Sequence, residues 1–415
     1  MNRTPLLIFL HFNIFVIAYL LLLHYQVIDA VPDEQNLLNW DAFWYHDISE
    51  KGYVFVPLQV CNMAFFPLFP FLWKLSQLSA LSICLLNLAI FITSFYLLVW
   101  KEAVSPIFLL IMLGSPSFIF FGLPYSESLS FLFATMILLG YQLKYSPIKI
   151  SGFLLAATVR SVSLLFIPAI IITEILTYDR KQPKRRLLLN LFYSIAACAS
   201  GLMISAYVQF RQTGRWFYFL DIQQFWKRHW IVPKFPLTTY DPERIIGVDG
   251  AAFVIGSIAA FHCLKWIFLR LRQRDSHPFQ NIPKAVVFSA LCLAGTTFLD
   301  TFFTFNLKGA TNIWSLNRHL FCSPFFLIYL LWLVRDFKPE KSGKLVIALL
   351  LICGTYFTGV YQHTLPFIFY LTFFCAVLVL KFADPFKNYL ILFYLLSVFI
   401  QICFLNDFLH YKWVG

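Results

Sequence analysis

Charge is what this chain has least of. Lys, Arg, Asp and Glu together make up 13% of 415 residues, against roughly a quarter in an ordinary soluble domain. The phosphate-cradling glycines of a P-loop and the Gly-x-Gly-x-x-Gly dinucleotide fingerprint are missing, as are His-Glu-x-x-His and Gly-x-Ser-x-Gly. Nothing therefore supports nucleotide hydrolysis or metalloprotease chemistry. The nine cysteines include no Cys-x-x-Cys pair and, Cys61 apart, lie in apolar segments, which argues against a disulfide framework or a metal cluster. No zinc-finger or RNA-binding motif accompanies the net charge of +12, so nucleic acid is not an expected partner. There is no internal repeat, low-complexity tract or separate soluble domain, and residues 1–415 read as a single membrane-embedded domain.

What the chain has instead is apolar sequence in long runs. Hydrophobic residues are 60% of the total. The runs lie near 5–28, 80–100, 104–122, 126–144, 148–178, 187–210, 249–268, 285–306, 316–334, 345–362, 364–382 and 389–406. Most have the length a helix needs to span roughly 30 Å of hydrocarbon. They are apolar all round, without the alternation of barrel strands, so the fold class expected is an all-α polytopic transmembrane bundle with 11–13 crossings. The first run is too long for a signal-peptide core and lacks a small-x-small site before Asp29, so it reads as a retained helix.

Orientation follows from Lys and Arg in the short loops. Basic clusters at 179–186, 270–284, 335–344 and 381–387 are expected to be cytoplasmic, and membrane lipid with anionic headgroups accounts for the basic balance. They agree with a cytoplasmic N-terminus if 148–178 crosses twice, or enters and returns. A single helix of that length would be roughly 46 Å long, too much for a bilayer. Arg160-Ser161 and Pro168 could mark the break. Thirteen crossings follow, two of them short, with the C-terminus outside; eleven or twelve is the alternative. Two long loops, 29–79 and 211–248, then share the outer side.

The first outer loop carries Trp40-Asp41-Ala42 through Gly52-Tyr53. Residues 40–51 suit a short amphipathic interfacial helix stopped by Gly52. Asp41 is either its N-cap or a general base at the membrane surface. Asp47, six residues on, lies about 120° round the helix, so the two carboxylates cannot share a target. Asn62 to Pro70, with two prolines and three aromatics, reads as a rigid elbow holding that helix. At Ser115 to Ser128, Glu127 either complements a helix dipole, with Ser126 as cap, or bonds a sugar hydroxyl or a basic partner. Arg160 and Arg318 are costly inside a membrane. Each could grip a phosphate through its planar fork or merely lock helices to an acid such as Glu127, and Arg318 could also snorkel. Phe225 to Trp230 suggests an aromatic, basic interfacial helix around His229.

These motifs, taken together and in order, resemble the signature of the GPI mannosyltransferase 2 (PIG-V) family. The carriers are Trp40-Asp41-Ala42, Ile48 to Tyr53, Ala64 to Pro70, Ser115-Pro116-Ser117, Pro124 to Ser128, Arg160-Ser161 and Asn317-Arg318-His319, with His319 where the family has Tyr. The likeness covers about 36–165 well and the C-terminal half loosely. The resemblance implies a GT-C glycosyltransferase fold and transfer of a sugar, mannose in the family, from a polyprenyl- or dolichyl-phosphate donor to a lipid-linked or glycan acceptor. It implies Asp41 as the catalytic carboxylate, with Trp40, His46, Asp47, Tyr125, Glu127, Arg160, Arg318 and His319 as the substrate-binding set, and no cofactor or metal. The second outer loop looks more like prokaryotic members, which implies a bacterial inner membrane, or the endoplasmic reticulum for a eukaryotic source. The rival readings are a polytopic transporter or flippase for a lipid-linked sugar and a non-catalytic assembly subunit.

Overall fold

The computed structural model describes residues 4–100, 102, 104–179, 181, 183–272, 282–337 and 341–415. Arg3, Arg180, Arg274 and the 338–340 part of the third basic cluster lie outside them. The chain is a helical bundle. Its helices are α1 Thr4–His24, α2 Asp41–Lys51, α3 Leu68–Ser76, α4 Ala80–Val99, α5 Pro106–Leu113, α6 Glu127–Gln142, α7 Ser146–Ala156, α8 Phe166–Leu176 and α9 Lys184–Thr213. They continue as α10 Tyr218–Asp221, α11 Ile246–Arg272, α12 Lys284–Phe302, α13 Leu316–Phe321, α14 Pro324–Arg335, α15 Lys341–Phe357, α16 Thr364–Val379 and α17 Lys387–Leu409. Among the described residues, the strands are two short antiparallel pairs, His229–Trp230 with Phe303–Thr304 and Asn306–Leu307 with Ala310–Thr311. Among the described residues, seven helices are long and apolar enough to cross a membrane: α1, α4, α9, α11, α12, the 364–382 run and α17.

The bundle has two chemically distinct ends. At one, the basic clusters tie the loops together. Arg335 Nη1 donates to Glu102 at 2.7 Å, Gln142 Nε2 to Glu102 at 3.3 Å, Lys284 Nζ to Glu174 at 2.7 Å and Arg270 Nη2 to the Tyr178 carbonyl at 3.0 Å. Ser146 and Pro147 meet Pro183, Arg185 and Arg186 there. At the other end the 29–79 and 211–248 loops pack on each other. Gln209, near the end of α9, holds both: its Nε2 donates to the Met63 carbonyl and its Oε1 accepts from Phe219 N, each at 2.9 Å.

The 148–178 stretch starts and finishes at the basic end. Helix α7 stops at Ala156, Arg160 is extended (φ −148°, ψ 145°), and a 3-10 turn at Ser161–Leu165 leads into α8. The break is therefore at Arg160-Ser161, as expected, and Pro168 sits inside the first turn of α8 without interrupting it, because Pro costs an early helical residue no hydrogen bond. Arg160 becomes the apex of an in-and-out excursion. Close packing holds this excursion: a Cβ on Gly201 of α9 would run into the Leu154 carbonyl oxygen, the small-residue contact by which helices approach where no hydrophobic effect drives them together.

Candidate active site

Helix α2 begins at Asp41 and ends at Gly52, whose φ of +78° suits only glycine well. The cap position falls on Trp40, and no side chain caps α2. The capping alternative for Asp41 is thus overturned: its carboxylate turns away from its own helix, and Arg318 Nη2 donates to Asp41 Oδ2 at 2.7 Å. The elbow does hold the helix. Asn62 Nδ2 donates to Asp47 Oδ2 at 3.0 Å and to the Gly52 carbonyl at 3.2 Å, and Tyr53 OH donates to the Phe65 carbonyl at 2.8 Å. Tyr45 on the buried side hydrogen-bonds Ser126 Oγ at 2.7 Å. Ser126 is therefore spent on α2 and does not cap α6. Burial pushes the Tyr45 phenol well up, so it stays neutral.

Arg318 is 3% exposed, which excludes snorkelling. Its Nε donates to Glu127 Oε1, and Arg160 Nη1 donates to the same oxygen. The guanidinium lies over Tyr125, 4.4 Å from the ring centroid, and 5.1 Å from that of Phe120. Two arginines and two carboxylates thus form one charge-balanced chain, Asp41–Arg318–Glu127–Arg160. Such a chain tolerates burial because each charge meets an opposite one with hydrogen bonds. Arg318 is anchored by its neighbour Asn317, whose backbone N and Nδ2 both donate to Asp249 Oδ1 at 2.8 Å. Ser117 Oγ donates to Asn317 Oδ1 at 2.9 Å. Asn87 Nδ2 donates to the Leu123 and Tyr125 carbonyls at 2.6 and 3.0 Å and so fixes the platform under Arg318.

The chain of charges lines a cavity of about 1560 Å³ built from both long loops, α12, α13 and the 411–413 segment. Four carboxylates (Asp41, Glu127, Asp241, Asp300) and five cations (Arg160, Lys227, Arg228, Arg318, Lys412) face it, beside Trp44, Phe65, Trp226 and Trp314. Its deeper wall is apolar, with Leu164, Leu165, Leu293 and Phe325. No hydrogen bond reaches Asp41 Oδ1 among the described residues, and the Asp41 side chain is 24% exposed. Arg160 gives Glu127 only its Nη1 and keeps its other N–H groups toward the cavity at 18% exposure. Among the described residues no three His, Cys, Asp or Glu side chains are grouped to hold a metal ion.

Of the residues singled out from sequence, Trp40, Asp41, Glu127, Arg160, Arg318 and His319 line the cavity. Trp40 stacks on Tyr411 at 4.5 Å and meets Trp413 edge-on at 4.9 Å. Tyr125 is a buried platform and not a lining residue. His46 and Asp47 do not line the cavity: His46 packs onto Trp73 at 5.4 Å and Asp47 accepts from Lys51 at 2.9 Å, because they lie on the other side of α2 from Asp41. The interfacial helix expected around His229 is also absent. Lys227 has φ +61° and His229–Trp230 pair as a strand, which places Trp226, Lys227 and Arg228 at the cavity. Sequence reasoning passed over Asp249 and Asp300. Their signal was there: an acid inside an apolar run needs a partner. Comparison of the chain with family profiles, with curated proteins and with solved structures finds no match.

Proposed function

We propose that this protein is a GT-C-type membrane glycosyltransferase that moves a sugar, mannose by the family resemblance, from a polyprenyl- or dolichyl-phosphate donor to a lipid-linked or glycan acceptor. The carrying observation is a carboxylate, Asp41, with one oxygen locked to Arg318 and the other unbonded at a cavity with a polar mouth and an apolar wall. In this reading the thirteen passes span a bacterial inner membrane, or the endoplasmic reticulum membrane, with the cavity on the outer face.

The chemistry is a single inversion. The acceptor hydroxyl oxygen attacks the anomeric carbon, its proton passes to Asp41 Oδ1, and the bond from that carbon to the phosphate oxygen breaks with the electron pair on the phosphate. One carboxylate suffices because a phosphate leaves readily without a general acid. Before the step, Asp41 and Glu127 balance Arg318 and Arg160. Protonating Asp41 leaves one positive charge uncompensated as the phosphate gains its negative charge, and Arg160 still has N–H groups for it. Arg318 therefore acts through Asp41 and Glu127 and does not grip the phosphate itself, which departs from the expectation drawn from its residue type.

A transporter of lipid-linked sugar is favoured only by the broken excursion at Arg160, since broken helices line transport sites too. The deciding experiment incubates purified protein with labelled polyprenyl-phosphate mannose and a lipid extract, beside Asp41→Asn. Label in a new glycoside with the parent alone supports transfer; none with either protein removes it.

A further inference from the structure

Arg318 and His319 are neighbours on α13 and both face the cavity, yet they serve separate clusters. His319 Nδ1 bonds Asp300 Oδ2 at 2.7 Å, and Arg228 Nη1 approaches Asp300 Oδ1 at 3.7 Å. The Arg228 guanidinium lies over Trp314, 5.2 Å from its ring centroid. The proposed transfer step uses none of these groups. With Asp300 accepting, Nδ1 carries the proton and Nε2 presents a lone pair. No hydrogen bond reaches Nε2 among the described residues, and the His319 side chain is 19% exposed at the cavity. The indole Nε1–H groups of Trp226 and Trp314, two residues that line the same cavity, are buried and have no partner among the described residues. Buried donors of this kind are rare unless something meets them.

The cluster is charge-balanced by Asp300 and Arg228, so it has no net charge with which to attract an anion. It offers an unused acceptor at the cavity, His319 Nε2, with Trp44, Trp226 and Trp314 lining the same space. That is the complement of a saccharide ring, whose hydroxyls both donate and accept and whose C–H faces pack on aromatic rings. We propose that Asp300 and His319, with the aromatic wall of the cavity beside them, form a hexopyranose subsite, with His319 Nε2 accepting from one ring hydroxyl and Asp300 as the residue that positions it. The subsite rests on the sugar-transfer reading for where the ring comes from, donor or acceptor, but not for its being bound.

The test is binding of methyl α-mannopyranoside and its monodeoxy analogues to purified protein, read by saturation-transfer NMR. In the parent, removal of one particular hydroxyl is expected to weaken binding about ten- to a hundredfold, the span of one hydrogen bond in a charged network. In His319→Phe that preference should fall to within about twofold, and Asp300→Ala should do the same through a mis-set imidazole. Melting temperatures check folding, and the parent's own deoxy profile decides the matter if a variant does not fold. Equal binding of all deoxy sugars by the parent, or unchanged preference in a folded His319→Phe, overturns the subsite. Repeating the deoxy series in donor and then in acceptor during turnover assigns the ring. Because ring binding needs no turnover, a protein that binds the ring but transfers nothing loses the transfer reading alone.

Discussion

Asp41 and Arg318 are 277 residues apart in the chain and 2.7 Å apart in the fold. The contact joins the start of the first outer helix to a short helix between two late apolar runs. It closes the cavity's charge network and leaves the second Asp41 carboxylate oxygen without a hydrogen bond among the described residues. Each prediction below probes a part of that arrangement.

Asp41→Asn keeps the size and shape of the side chain and leaves α2 without any lost cap, since Asp41 caps nothing. Folding should survive, with sugar transfer down roughly 10²–10⁴-fold, the usual range for losing a general base. Asp47→Asn, bonded to Lys51 and Asn62 away from the cavity, should retain transfer within a few-fold. Initial rates with labelled donor check both; an inactive Asp47→Asn beside an active Asp41→Asn would overturn the assignment.

Arg318→Ala strips Asp41 of its partner and leaves Glu127 with Arg160 alone. Breaking a buried pair of this kind costs about 3–5 kcal/mol, visible as a lower melting temperature in detergent. Arg318→Lys should recover little of it, because one ammonium cannot bridge two carboxylates as the planar fork does. Full rescue by Lys would mean that charge alone matters there.

Arg160 is partly open and gives Glu127 one nitrogen, so Arg160→Ala should cost less stability than Arg318→Ala. Its effect should fall on catalysis with the phosphate-leaving donor, with kcat reduced more than donor KM is raised. A variant that melts early but turns over normally would make Arg160 a helix lock.

Gly201→Ala would force a Cβ against the Leu154 carbonyl oxygen, which belongs to the backbone and cannot swing aside. Overpacking typically costs about 1–3 kcal/mol. Here it also displaces the excursion that carries Arg160, so activity should fall with stability; unchanged melting and activity would show that α7 and α9 can separate freely.

Topology is checked with single cysteines at Pro183 and Trp230 in a background without accessible native thiols. A membrane-impermeant reagent should label the two from opposite sides. Labelling from one side would show that α9 Lys184–Thr213, which lies between the two positions, does not cross.

Composition and run length by themselves determined a helical bundle with helices long and apolar enough to cross a membrane, because a bilayer demands long apolar segments with every backbone group satisfied internally. Loop charge determined which loops gather at which end, and the excess length of 148–178 required the break seen at Arg160-Ser161. The motif residues marked Asp41, Glu127, Arg160 and Arg318 one by one. Sequence could not say that these four form a single chain of charges, or that Tyr125 lies beneath it, because such pairings span 33 to 277 residues and leave no periodicity to read. Nor could it say that His46 and Asp47 turn from the cavity that Asp41 lines, since proximity in the chain is not proximity on a helix face. It missed Asp300 because an acid in an apolar run announces a need for a partner without naming one. Only the tertiary structure decided which charge neutralises which, and therefore which carboxylate oxygen is held by an arginine and which meets no hydrogen bond among the described residues.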